Sequence, residues 1–172
     1  MKVFASPGEA GPARVSQRNA YRVAIALGMC LLVVTATNLA VLWGDVKVGV
    51  PQWELAATSQ TFERVPMVLL SLLLVGLGGV YGESVGAVRF AAVACGVVAV
   101  VVAGLAVLYG LAVLQAYGAI PAAARPIFRA SASKNVVTTG LYVLTSGYMG
   151  WVLWRCVVRA SAARHQEPAA AS

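Results

Sequence analysis

The 172-residue chain is 60% hydrophobic and only 11% charged, whereas soluble domains run at roughly 45–50% apolar and about 25% charged, so a soluble globular class is excluded. Its net charge of +7 comes from cations scattered over tails and loops, without the basic run or aromatic-interleaved stripe of a nucleic-acid binder; it suits a protein that meets anionic lipid surfaces. Three cysteines, Cys30, Cys95 and Cys156, and the single His165 have none of the close spacings from which zinc or redox sites are built.

Residues 1–20, rich in Gly, Pro, Ser and Ala and carrying Lys2, Arg14 and Arg18, predict a flexible basic tail. The apolar run 24–43 that follows is of full spanning length, because about 20 helical residues cross the roughly 30 Å hydrocarbon layer. It lies behind a long polar lead and lacks the short core and small-residue cleavage site of a secretory signal, so it predicts an uncleaved anchor. Trp43 closes it at the level favoured by interfacial aromatic rings.

Residues 44–64 are the most acidic stretch, with Asp45, Glu54 and Glu63. Pro51, Gln52 and Trp53 suggest a turn followed by a short amphipathic segment resting on the membrane surface. Span two is predicted over 65–81 and opens on Pro66, which suits a first helical turn. A tight corner at Gly82, Glu83 and Ser84 leads to the longest apolar segment, 86–116, which at 1.5 Å per residue rises about 46 Å and so must tilt or leave the bilayer. Small residues recur in it at Ala92 and Gly96, Ala99 and Ala103, and Ala106 and Gly110, a spacing that admits close approach of another helix.

The connection 117–136 carries Pro121, Pro126, Arg125, Arg129 and Lys134. Its prolines argue against a continuous helix, and its cations suit lipid headgroups. Span four is predicted over 136–154, and residues 160–172 as a disordered tail. The whole is an all-α, integral membrane four-helix bundle with short loops and flexible tails, in which 21–159 form one domain.

Orientation follows from counting Lys and Arg on each side. With the amino terminus inside, that side holds Lys2, Arg14, Arg18, Arg22, Arg89, Arg155, Arg159 and Arg164 against Lys47, Arg64, Arg125, Arg129 and Lys134 outside, so both termini are expected in the cytoplasm. The location implied is a bacterial inner membrane, with the thylakoid as the alternative.

Chemistry inside the spans is sparse. Their polar groups are chiefly Thr35, Thr37, Asn38, Ser71, Gln115, Thr138, Thr139, Thr145 and Ser146, and interhelical hydrogen bonding is their expected role. No acid, base or nucleophile set converges, and no phosphate-binding glycine motif is present. The expectation is therefore a non-enzymatic accessory or scaffold protein without a cofactor. Its expected partners are membrane lipids, other membrane subunits and, as an alternative, further copies of itself. The rival readings are an accessory subunit of a photosynthetic or respiratory complex and a small transporter. Candidate interface residues are Pro51, Trp53, Glu63 and Arg64 in the first loop, Ala92, Gly96, Ala99, Ala103 and Gly110 on span three, and Arg125 and Arg129 before span four.

The stretch 45–80, through Pro51, Trp53, Leu55, Glu63, Arg64 and Pro66, resembles the HpsJ-like membrane proteins of cyanobacteria. A basic connection and a final span follow in both, although that family has a longer polar region before its last span. The resemblance implies a role near hormogonium polysaccharide and cyanoexosortase systems, in surface-polysaccharide export or assembly, and implies no reaction.

Overall fold

The computed structural model describes residues 12–44, 50–118 and 120–166. Four helices follow one another, α1 Pro12–Gly44, α2 Pro51–Tyr81, α3 Val85–Tyr117 and α4 Arg125–Gln166, with a short 3-10 turn at Ala122–Ala124. Among the described residues there is no strand. Each helix contains a stretch long and apolar enough to cross a membrane, Arg18–Gly44, Trp53–Tyr81, Val85–Tyr117 and Ala122–Ser161. The protein is an all-α membrane protein. Successive helices pack on one another, α4 also touches α2, and α1 lies chiefly against α2.

Helix boundaries depart from the sequence reading wherever proline was taken as a breaker. α2 starts at Pro51 rather than near 65, so the expected surface loop 51–64 is its first four turns. Pro51 fills the first helical turn, where its missing N–H costs nothing, and Pro66 stands inside the helix. Buried Ala57, Thr58, Thr61 and Phe62 hold that turn against its neighbours, and packing outweighs the one lost backbone bond. The prolines of 117–136 likewise open structure: Pro121 precedes the 3-10 turn and Pro126 sits in the first turn of α4. Both tails shorten as well, since helix covers 12–20 and continues to Gln166; the expectations for 1–11 and 167–172 lie outside the described residues.

Levels along the helices define a slab. At 1.5 Å per residue, Arg22 to Trp43 rises about 31 Å, Arg64 to Gly82 about 27 Å, Arg89 to Tyr109 about 30 Å and Asn135 to Arg155 about 30 Å, which matches the hydrocarbon thickness four times over. The end that holds the α2–α3 hairpin is labelled inner and the end that holds the α3–α4 turn outer, as names for the two ends of the slab. Beyond the outer boundary rise the first turns of α2, the last two turns of α3 and the first turns of α4.

The two halves of the slab are packed differently. Near the hairpin, glycines bring backbones together. A Cβ on Gly28 of α1 would stand 2.7 Å from the Ser71 carbonyl oxygen of α2, and one on Gly150 of α4 would stand 3.2 Å from the Ala92 carbonyl oxygen of α3. Around these crossings lie buried Leu72, Val75, Val88, Ala91, Cys95, Leu153 and Val157. The outer half is filled by larger groups, Phe62, Val65, Val102 and Tyr109, with Leu69, Leu105 and Tyr142 against them.

The hairpin itself is a helix C-cap. Ser84 N–H donates to the Gly79 carbonyl at 2.8 Å and Glu83 N–H to Val80 at 3.4 Å, the paired bonds of a Schellman ending. The position that this motif gives to glycine is occupied by Glu83, at φ 55°.

Candidate functional site

Hydroxyls inside the spans are absorbed by their own helices. Thr35 donates to Leu31 O at 2.8 Å, Ser71 to Met67 O at 2.7 Å, Thr139 to Asn135 O at 2.7 Å and Ser146 to Tyr142 O at 2.7 Å. Thr58 and Thr61 do the same toward Glu54 O and Ala57 O. In each of these groups the hydroxyl hydrogen returns to the backbone one turn earlier.

Two polar junctions between helices stand out among the described residues, both at the outer boundary. Trp43 Nε1 donates to Thr61 Oγ1 at 3.0 Å, tying α1 to α2. Asn135 Nδ2 donates to the Tyr109 hydroxyl at 2.9 Å, tying α4 to α3, and the Tyr109 ring meets Phe62 of α2 edge-on at 5.8 Å. Tyr109 and Asn135 escaped the sequence reading. Their one signal is position, at matching distances from the α3–α4 turn.

Asn38 differs from every other amide near the core. It lies on an exposed face of α1, about 9 Å inward from Gly44 at 1.5 Å per residue, and its side chain makes no hydrogen bond among the described residues. Gln115, also exposed, stands beyond the outer boundary, where water and headgroups supply partners.

The predicted site residues separate. Trp53, Glu63 and Arg64 are exposed on α2, and Glu63 and Arg64 do not pair with each other; of Pro51 only the helical backbone position is described. The Ala92 and Gly96 pair is used within the chain, as the seat of Gly150. Ala99 and Ala103 are half-buried, and a Cβ on Gly110 would meet nothing within 4 Å. The small-residue positions of α3 therefore do not form one continuous docking stripe.

Arg125 and Arg129 do come together. With Tyr117, Pro126, Ala130 and Ser133 they line an open cleft of about 470 Å³ at the α3–α4 turn. Positions 125, 129 and 133 share a face because they lie four residues apart on α4. The Arg125 guanidinium rides over the Tyr117 ring at 5.6 Å and its Nε donates to Ile120 O at 3.2 Å, which fixes its direction. Ser133 donates to Ala130 O at 2.9 Å. Among the described residues neither arginine meets a carboxylate, and no group of three His, Cys, Asp or Glu gathers as metal ligands. No family model, curated protein or solved structure matches the chain.

Proposed function

We propose that the protein is a non-enzymatic accessory or scaffold subunit, which joins a larger membrane assembly through the outer face of α1. The observation that carries this reading is the Asn38 amide, exposed within the apolar span and without a partner among the described residues. An unpaired amide in hydrocarbon costs several kcal/mol, whereas one interhelical hydrogen bond recovers about 0.6–2 kcal/mol. A helix from another subunit, or α1 of a second copy, supplies that bond. The back-bonded hydroxyls favour this reading over a transporter, which needs polar groups facing a water path.

The resemblance of 45–80 to HpsJ-like proteins supports placing the assembly in surface-polysaccharide export or assembly. The excess of Lys and Arg on the hairpin side supports cytoplasmic termini in a bacterial inner membrane. A photo-crosslinker at Val41, exposed near Asn38, is expected to give one discrete adduct in native membranes that Asn38→Leu abolishes. Recovery of the uncrosslinked chain alone from both would end the scaffold reading. A cysteine at position 50, in a chain without its natural thiols, is expected to react with an impermeant maleimide from the periplasmic side; reaction from the cytoplasm would reverse the orientation.

A further inference from the structure

The cleft at the α3–α4 turn sits at a definite depth. Asn135 and Tyr109 mark the outer hydrocarbon boundary, and Ser133, Arg129 and Arg125 stand about 3 Å, about 9 Å and about 15 Å beyond it on α4 at 1.5 Å per residue. Each headgroup layer is about 5–8 Å deep, so the cleft runs from within that layer, at Ser133, past its outer edge at Arg129, and long arginine side chains reach back from there toward the phosphates. Its surroundings are amphiphilic. Leu114 and Ile127, beside the turn, are 74% and 77% exposed, apolar surface beyond the hydrocarbon boundary, while the cleft wall offers two guanidinium groups.

Charge at this place is uncompensated. α4 has no acidic residue in its first turn, and neither Arg125 nor Arg129 meets a carboxylate among the described residues. The positive end of the α4 dipole adds to the same field. Arg125 is already oriented by Tyr117 and by the Ile120 carbonyl, so a ligand does not have to order it from a free rotamer ensemble. Guanidinium groups match phosphate oxygens with paired, charge-assisted hydrogen bonds. From these features we infer that the cleft is a binding site for the phosphate of an anionic phospholipid headgroup. Arg125 and Arg129 hold the phosphate, Tyr117 stands at its edge, and the acyl chains descend into the hydrocarbon below Tyr109. The site rests on membrane residence and is independent of the scaffold reading.

The test uses the full chain in nanodiscs of equal phosphatidylglycerol and phosphatidylcholine, with the lipids retained after ejection counted by native mass spectrometry. The wild type is expected to retain phosphatidylglycerol selectively, and R125Q/R129Q to weaken that retention by about 30-fold. R89Q/R155Q removes two cations at the other boundary and is expected to leave it unchanged. A130W keeps every charge, fills the cleft from an exposed position, and is expected to displace the lipid while circular dichroism stays that of the wild type. Equal losses in R125Q/R129Q and R89Q/R155Q would mean unspecific surface attraction and overturn the site, as would unchanged retention in A130W. Inorganic phosphate at millimolar concentration is expected not to displace the lipid; full displacement would make free phosphate the ligand and overturn the lipid assignment.

Discussion

Gly28→Ala adds one methyl group where α1 crosses α2. Its Cβ would lie 2.7 Å from the Ser71 carbonyl oxygen, 2.8 Å from Val75 Cγ2 and 3.1 Å from Leu74 Cβ. Ordinary contact begins near 3.4 Å, so α1 must withdraw by about 0.7 Å, and a gap of that size forfeits a quarter to a half of each dispersion contact along the crossing. Overpacking of this kind costs about 1–3 kcal/mol, while alanine returns up to about 1 kcal/mol of helix propensity. The expected net loss is about 1 kcal/mol, rising to about 2 kcal/mol if the hairpin prevents α1 from shifting. Gly104→Ala is the matched control, because nothing lies within 4 Å of a Cβ there; it is expected to be neutral or mildly stabilising. Reversible unfolding in mixed dodecyl maltoside and dodecyl sulfate micelles, followed by circular dichroism, measures both. Equal midpoints for the two variants would refute the close α1–α2 crossing and the account of the glycine-packed half built on it.

Glu83→Gly is expected to stabilise the protein by about 0.5–1 kcal/mol in the same assay, because it removes a side chain from φ 55° where left-handed backbone costs an L-residue about 1–2 kcal/mol and glycine's extra unfolded-state entropy offsets part of the gain. Tyr109→Phe deletes the hydroxyl that accepts from Asn135 and is expected to cost about 0.6–2 kcal/mol. A double-mutant cycle with Asn135→Leu should then return a coupling energy near that value, and additive losses would mean that the pair does not act as one contact.

What could be read directly from the chain were quantities that add up along it. Hydropathy summed over 20-residue windows found all four spans, because transfer into lipid is close to additive and a lipid-exposed backbone must bond within its own helix. Arg125 and Arg129 were legible as cations before span four, but their shared face was not, because the prolines of 117–136 argued against the helix that puts residues four apart on one side. Proline misled the boundaries. Local preference makes Pro51, Pro121 and Pro126 interruptions and Pro66 a helix start, yet Pro51 and Pro126 occupy first turns and Pro66 stands inside α2, where Phe62, Val65 and Leu69 on either side of it belong to the outer core.

Pairing between helices lies outside any such sum. The sequence offers small residues along much of α3, but only the crossing geometry assigns Ala92 and Gly96 to Gly150 and leaves Gly104 and Gly110 in open space. It offers several polar groups in spans, but only the fold gives Tyr109 to Asn135 and Thr61 to Trp43, and leaves Asn38 facing outward. Sequence by itself determined that the chain crosses a membrane four times, because burial in lipid depends on each segment alone. Tertiary structure decided which faces meet, which amide is left over and where two arginines converge with a tyrosine, because each depends on the rotation and level of one helix relative to another.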